Sequence, residues 1–213
     1  TSGACAPTSD TVEITFLESP ASPIISDDES CGPDSLHLIA TGPGGNTIVQ
    51  WFPTILSSTP FFIGEDYYTA TLNSSVIYFA NTLDTITGCA SPRNPVRGDI
   101  HPIPGPPSLT GDELCGRGDA TLSGTILPPA TTIRWYNDRD GNNMISDGIS
   151  ITNYVSNTRK FWSKAFDAVN GCESDIDSVE VIVHPAVPDP VVSSDSSCGP
   201  SDFMFRATKS SSM

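Results

Sequence analysis

Six cysteines in this chain fall on one period. Cys5, Cys89 and Cys172 follow one another at 84 and 83 residues, and so do Cys31, Cys115 and Cys198. Self-similarity at a fixed spacing restricts the chain to units that can be laid end to end with copies of themselves, because each unit has to repeat the same local solution. The flanking phrases repeat as well. Gly88-Cys89-Ala90-Ser91 answers Gly171-Cys172-Glu173-Ser174, Cys31-Gly32 answers Cys115-Gly116 and Cys198-Gly199, and each Gly-Cys phrase is followed by a proline-rich joint, at residues 102–107 and 185–190.

The period divides the chain into two complete repeats, 20–103 and 104–187. They are flanked by what reads as the last strand of a preceding copy (1–19) and the first part of a following one (188–213). Within a repeat the pattern is that of short strands. Val12-Glu13-Ile14-Thr15-Phe16 and Val179-Glu180-Val181-Ile182-Val183 have period two, and Leu36, Leu38 and Ala40 put apolar side chains on one strand face. Val76-Ile77-Tyr78-Phe79-Ala80 matches Arg159-Lys160-Phe161-Trp162-Ser163. Turn residues recur every 8 to 12 positions and no stretch has helical period. About seven short strands per repeat predict an all-β fold of tandem β-sandwich domains. Trp51 lies 20 residues after Cys31 and Trp135 lies 20 after Cys115, which predicts two equivalent buried core pins. Pro95, inside the last strand of the first repeat, predicts an edge or a break there.

The formal charge is −15, and each repeat carries an equal part of it: 8 acids and 2 bases in residues 24–106, 12 acids and 6 bases in residues 107–189. A polyanionic array stays soluble and argues against nucleic acid or an anionic membrane surface as partner. No signal peptide or membrane span is visible.

With two cysteines per repeat, no Cys-x-x-Cys and only scattered histidines, the thiols read as disulfides formed in an oxidising compartment. Closing a loop of repeat size removes about 4 kcal/mol of unfolded-state entropy in the chain-entropy model, a useful term for so small a core. Two pairings compete. Counting favours bridges within repeats, Cys31 to Cys89 and Cys115 to Cys172. Topology favours a bridge between repeats, Cys31 to Cys172, because Cys31 and Cys89 fall at opposite ends of a sandwich of this strand order, too far apart for one bond.

Cys-Gly, an alternating apolar strand, Val49-Gln50-Trp51-Phe52 or Ile133-Arg134-Trp135-Tyr136, an aromatic pair, and Gly-Cys-x-Ser before a proline-rich joint together resemble the immunoglobulin-like repeat of very large secreted surface proteins of Bacteroidota. Some of those proteins are associated with gliding motility and leave by type IX secretion. The resemblance implies a secreted, extracellular or outer-surface location and a non-catalytic structural or adhesive stalk or filament. Its partners would be neighbouring repeats of the same chain, other copies in a filament, or a surface polysaccharide. The alternative is a spacer or carbohydrate-binding accessory region of a secreted polysaccharide-degrading enzyme. The Asp-(Ser/Thr)-apolar motif that Bacteroidota O-glycosylate is matched at Thr11, Ser35, Thr85 and Ser178.

The residues themselves offer little chemistry. No Gly-x-Ser-x-Gly, phosphate loop or repeated carboxylate pair is present, so neither a catalytic site nor a cofactor is expected. No metal site is expected either: Asp138-Arg139-Asp140-Gly141-Asn142 has its glycine at the wrong offset for a calcium loop and reads as a polar hairpin turn. Arg97-Gly98-Asp99 and Arg117-Gly118-Asp119 fall at non-equivalent positions of the repeat and read as chance. Lys160, Trp162 and Lys164 alternate on one strand face, where a ring flanked by ammonium groups could hold a sugar or an anion.

Overall fold

A computed structural model describes residues 10–196, 198–200 and 202–209. The chain divides into two units, Thr1–His101 and Pro102–Met213. In the first unit eight strands follow in order: β1 (Ile24–Ser26), β2 (Asp28–Cys31), β3 (His37–Thr41), β4 (Thr47–Phe52), β5 (Phe62–Ile63), β6 (Asp66–Tyr68), β7 (Val76–Asp84) and β8 (Asn94–His101). They form a three-stranded sheet, β1-β3-β6, and a five-stranded sheet, β2-β8-β7-β4-β5. The second unit repeats this strand for strand with β9 (Ser108–Thr110), β10 (Glu113–Cys115), β11 (Gly118–Thr125), β12 (Thr132–Tyr136), β13 (Met144–Asp147), β14 (Ser150–Val155), β15 (Arg159–Phe166) and β16 (Asp177–His184). Its sheets are β14-β11-β9 and β10-β16-β15-β12-β13. A further hairpin joins β17 (Val191–Ser193) to β18 (Arg206–Thr208). Its register pairs Val191 with Thr208, the same offset as Ile24 with Thr41 and Ser108 with Thr125. The all-β class and the tandem arrangement are as the sequence predicts.

The strand count is eight and not seven, because the first strand of each repeat is split between the two sheets. β1 pairs antiparallel with β3, and after a single residue β2 pairs parallel with β8. That crossing is made in two ways. At Asp27 the carboxylate accepts a hydrogen bond from the Arg97 amide at 2.7 Å. At the equivalent Gly111 the backbone passes so close to the Glu180 carbonyl that any Cβ would collide with it. The next carboxylate does the same work in both copies, since Asp28 accepts from the His37 amide and Asp112 from the Thr121 amide, each at 2.8 Å. Part of the acidic character near each cysteine is therefore a tie between the two sheets.

Two other expectations change. Residues 10–23 form no strand, so the alternation at Val12 to Phe16 marks a potential face without a ladder to complete it. Pro95 does not break β8, which runs on to His101. Pro95 pairs with Phe79 on one side, and its other side has no neighbour because β2 reaches only Gly98, so the missing N–H costs no ladder bond.

Each core lies between the sheets of its own unit and is pinned by a tryptophan. Trp51 and Trp135 are fully buried, and each indole N–H donates to a glycine carbonyl at 2.8 Å, Gly64 and Gly148 respectively. Those glycines have φ of +143° and +138°, a backbone that L side chains rarely adopt and that turns the carbonyl toward the indole. Around the pins the copies exchange volume between facing positions. Leu36 lies against Gly98, where an added Cβ would stand 2.9 Å from Leu36 Cδ1, whereas the second repeat has Ala120 and Val181 at these places. Ala40 with Val49 becomes Gly124 with Ile133, and a Cβ on Gly124 would stand 2.7 Å from Ile133 Cδ1. Interiors close-packed in this way tolerate paired exchanges better than single ones.

Gly98→Val alone should therefore destabilise the first unit by about 1–3 kcal/mol through overpacking. Combined with Leu36→Ala it should recover part of that loss. A double-mutant cycle read by urea denaturation should give a favourable coupling of about 1 kcal/mol. Strict additivity would show that the two positions do not share one volume.

Candidate functional site

The cysteines take positions set by the parallel strand. Cys31 ends β2 opposite His101, the last residue of β8, and Cys115 ends β10 opposite His184, the last residue of β16. Cys89 and Cys172 lie before the first residues of those same strands, at Asn94 and Asp177. An eight-residue strand spans roughly 25 Å, whereas a disulfide holds its Cα atoms within about 7 Å. In agreement, Cys89 and Cys115 are free thiols, so the within-repeat bridges are not formed. Cys31 and Cys172 are each disulfide-bonded. Cys198 is free, and Cys5 lies outside the described residues. Beside each Cys-Gly a histidine faces a glutamate of the parallel strand: His101 lies 3.0 Å from Glu29 and His184 lies 3.4 Å from Glu113.

The outer face of the five-stranded sheet in the second unit carries the candidate ligand residues. Phe161, Ser163 and Ala165 of β15 point into the core, and Lys160, Trp162, Lys164 and Phe166 point out. Register places Trp162 between Tyr136 of β12 and Ser178 of β16. Lys164 stands beside Arg134. Lys164 and Arg134 are tied up. Lys164 Nζ donates to Glu173 at 2.9 Å, the Arg134 guanidinium donates to the other oxygen of the same carboxylate, and that guanidinium also lies 3.3 Å from the Phe166 ring centroid. Burial by itself would raise the Glu173 pKa, but the hydrogen bonds from Lys164 and Arg134 outweigh it and hold the carboxyl below the ordinary glutamate range. The bond to Glu173 likewise raises the Lys164 pKa. Burial, followed by the Glu173 charge, raises the Tyr136 phenol.

Of the three residues singled out in sequence, Lys160 and Trp162 meet at an open cleft of about 380 Å³ and Lys164 does not. The rest of the lining comes from Arg139, Ile176, Asp177 and Ser178. Sequence inspection missed these four, because they come from a hairpin turn and from the start of the last strand, and only the sheet register brings them beside Trp162. The turn is the Asp138 loop, and it is structural. The Asp138 carboxylate accepts from the amides of Asn142 and Asn143, which lowers its pKa, and Gly141 at φ +70° brings the loop close to Lys164 and Ile176. Among the described residues no three His, Cys, Asp or Glu side chains come together as a metal site, and no helix is long and apolar enough to cross a membrane.

The other motifs are placed as follows. Arg97, Gly98 and Asp99 lie within β8, with Gly98 buried between Val76 and Asp28, so this tripeptide is not presented on a loop. Thr11, Ser35, Thr85 and Ser178 are exposed. The Ser35 hydroxyl donates to the Thr69 carbonyl, and the Thr85 hydroxyl donates to the Asn46 carbonyl at 2.7 Å. Ser178 borders the Trp162 cleft.

Glu173→Gln should destabilise the second unit by about 1 kcal/mol at neutral pH, a modest value because all three partners are partly exposed. The folded pKa of Glu173 is depressed, so its contribution is present above the unfolded value near 4.3 and is lost as pH falls through the folded value. The stability gap between wild type and variant, followed by urea titration from pH 7 to pH 2, should be level at first and then shrink in the acid range. A gap unchanged down to pH 2 would show that the ion triad does not set it.

Among solved structures the chain is similar to the fibronectin(III)-like modules of CbhA from Clostridium thermocellum, with 16% identity over 77% of this chain and 95% of that one, TM-score 0.43. It is also similar to three N-terminal domains of the bacteriophage RB49 outer capsid protein Hoc, with 13% identity over 90% and 71%, TM-score 0.37. A third is the FN1–FN3 region of chicken CNTN1, with 11% identity over 78% and 66%, TM-score 0.46. No curated protein matches the chain. The family described as Ig-like domain, CHU_C associated, matches residues 20–102 and again 104–185, within two residues of the limits set by the cysteine period. Two successive matches across most of the chain, on the two sandwiches just described, make it a member of the CHU_C-associated Ig-like family in tandem form.

Proposed function

We propose that this chain is a tension-bearing stalk segment of a large Bacteroidota-type surface protein, secreted and held outside the cell, in which successive Ig-like repeats serve as spacers for an adhesive function carried elsewhere. Tandem Ig-like domains make a structural or spacer repeat region, and a disulfide is compatible with an extracellular setting. One observation carries the mechanical part. In both repeats the strand near the start pairs parallel with the strand that ends the repeat, Asp28 to Cys31 beside Gly98 to His101 and Glu113 to Cys115 beside Ile182 to His184. Pulling on the two ends of a repeat loads that ladder along the strands, so its hydrogen bonds must fail together. An antiparallel hairpin pulled open at one end would lose them one at a time. The recurrence of the opening hairpin register at Val191 and Thr208 supports continuation of the array into a third copy.

The bridge in this reading joins Cys31 to Cys172. That both are disulfide-bonded while Cys89 and Cys115 are free supports the pairing. A covalent link of this kind would shield the intervening chain, β8 and β10 included, from extension, so the bridge carries the load while it is intact and the two parallel ladders carry it once it is reduced. The same reading leaves filament formation to other copies of the array, with gliding motility and type IX export as its cellular setting.

Single-molecule extension of the two-repeat protein tests both parts. Oxidised protein should release only the chain outside the bridge. Reduction should add about 490 Å of contour length, the 141 residue steps from Cys31 to Cys172 at roughly 3.5 Å each. Equal contour lengths in the two states would exclude the bridge, and unfolding of the reduced protein at forces typical of a peeled hairpin would exclude the load-bearing role of the ladders.

A further inference from the structure

The outer faces of the two repeats differ at one decisive position. In the first repeat Arg93 lies across the Phe52 ring, 3.5 Å from its centroid. It donates to the carbonyls of Thr54, Ile55 and Ser57, and so fastens the loop after β4 down on the sheet. The equivalent residue of the second repeat is Ile176, four positions after the cysteine in both cases. An isoleucine cannot make those bonds. The loop after β12 instead closes on itself through Asp138, and the space that Arg93 fills in the first copy becomes part of an open cleft walled by Trp162, Ile176 and Ser178. The neighbouring residues change in step, with Ile77, Phe79 and Pro95 in the first repeat against Lys160, Trp162 and Ser178 in the second.

We propose that this cleft binds a carboxylated sugar unit of an acidic polysaccharide, the half-buried Trp162 ring supporting the apolar face of the sugar while Arg139 and Lys160 take its carboxylate. The charge arrangement selects this class of ligand. On a chain of net charge −15, Arg134 and Lys164 are paired with Glu173 and Asp147, whereas Arg139 and Lys160 enter no ion pair among the described residues and both border the cleft. A guanidinium and an ammonium near one apolar ring attract a carboxylate and repel a cation. Asp177 and Ser178 at the rim offer an acceptor and a hydroxyl for sugar hydroxyl groups, and a flat indole is a better platform for a pyranose ring than for an extended acidic peptide. The cleft size falls within the range of small-ligand sites. The first repeat has an arginine where the opening would be and is expected not to bind.

The test is fluorescence titration of the whole chain with trigalacturonate. Neutral galactotriose serves as the uncharged arm, and tetraglutamate as the charged arm without sugar. Trp51 and Trp135 are fully buried, so Trp162 is the indole placed to respond. Trigalacturonate should quench and bind about tenfold tighter than either control, and the binding should weaken with added salt as contacts between exposed charges do. Lys160→Glu should reduce it to the level of the neutral sugar. Arg139→Glu, a change on an exposed turn outside the core, should lower it likewise while near-ultraviolet circular dichroism of the buried tryptophans stays unchanged. Equal binding of tetraglutamate or of galactotriose would overturn the proposal, as would trigalacturonate binding that survives both variants or that is absent at millimolar concentration.

Discussion

A tryptophan N–H that reaches a glycine carbonyl across the core is the constraint on which each sandwich depends. A buried indole supplies a large apolar area, but its single donor must find an acceptor or the burial is penalised. The acceptor here is the carbonyl of Gly64 or Gly148, on the short connection that follows the edge strand of the five-stranded sheet, β5 or β13, and it points inward because the backbone takes a positive φ. One hydrogen bond therefore links the strand before the central ladder to the turn that hands the chain to the opposite sheet. It sets the spacing of the two sheets at the same place in both copies. Around it the volumes can be traded between facing positions, Leu36 and Gly98 against Ala120 and Val181, without altering register.

Much of this was legible in the sequence, because what repeats in it is what the fold requires. The cysteine period marked the two repeats, alternation at Leu36, Leu38 and Ala40 marked a buried face, and the fixed distance from Cys31 to Trp51 and from Cys115 to Trp135 marked the pin. Pairing partners were less legible. Nothing in Asp27 or Gly111 announces that the chain changes sheets there, since one solves the crossing with a carboxylate and the other by having no side chain. The parallel alignment of β2 with β8 is likewise a relation between segments about 70 residues apart. Period-two patterning fixes a strand's face and leaves its neighbour open. That is why Val12 to Phe16 could be read as a strand that the described residues do not form, and why Pro95 could be read as a break.

The cysteines show the same limit from the other side. Two per repeat invites pairing within the repeat, and only the placement of Cys31 and Cys89 at opposite ends of one eight-residue strand rules it out. Count is a property of composition, whereas distance is a property of topology. Once the parallel strand is in place, geometry excludes a bond between the two cysteines of one repeat without any appeal to redox conditions.

Chemistry that distinguishes one copy from the other has to be sought where they differ, and the inner faces leave little room for difference. A core position can change only with its facing partner, but an outward residue of the same strand is free of that condition. Lys160, Trp162 and Lys164 illustrate how the freedom is used. They share a strand face, so the sequence groups them, yet the fold separates them by their neighbours: Lys164 is held by Glu173, while Lys160 and Trp162 face the cleft left open where Ile176 stands in place of Arg93. A residue's side of the strand is decided by its parity, but what it can bind is decided by the side chains that sheet register brings beside it. In a tandem array this divides the labour within each repeat, with the pinned core and the parallel ladder held alike from copy to copy and the outer face of the larger sheet left to vary.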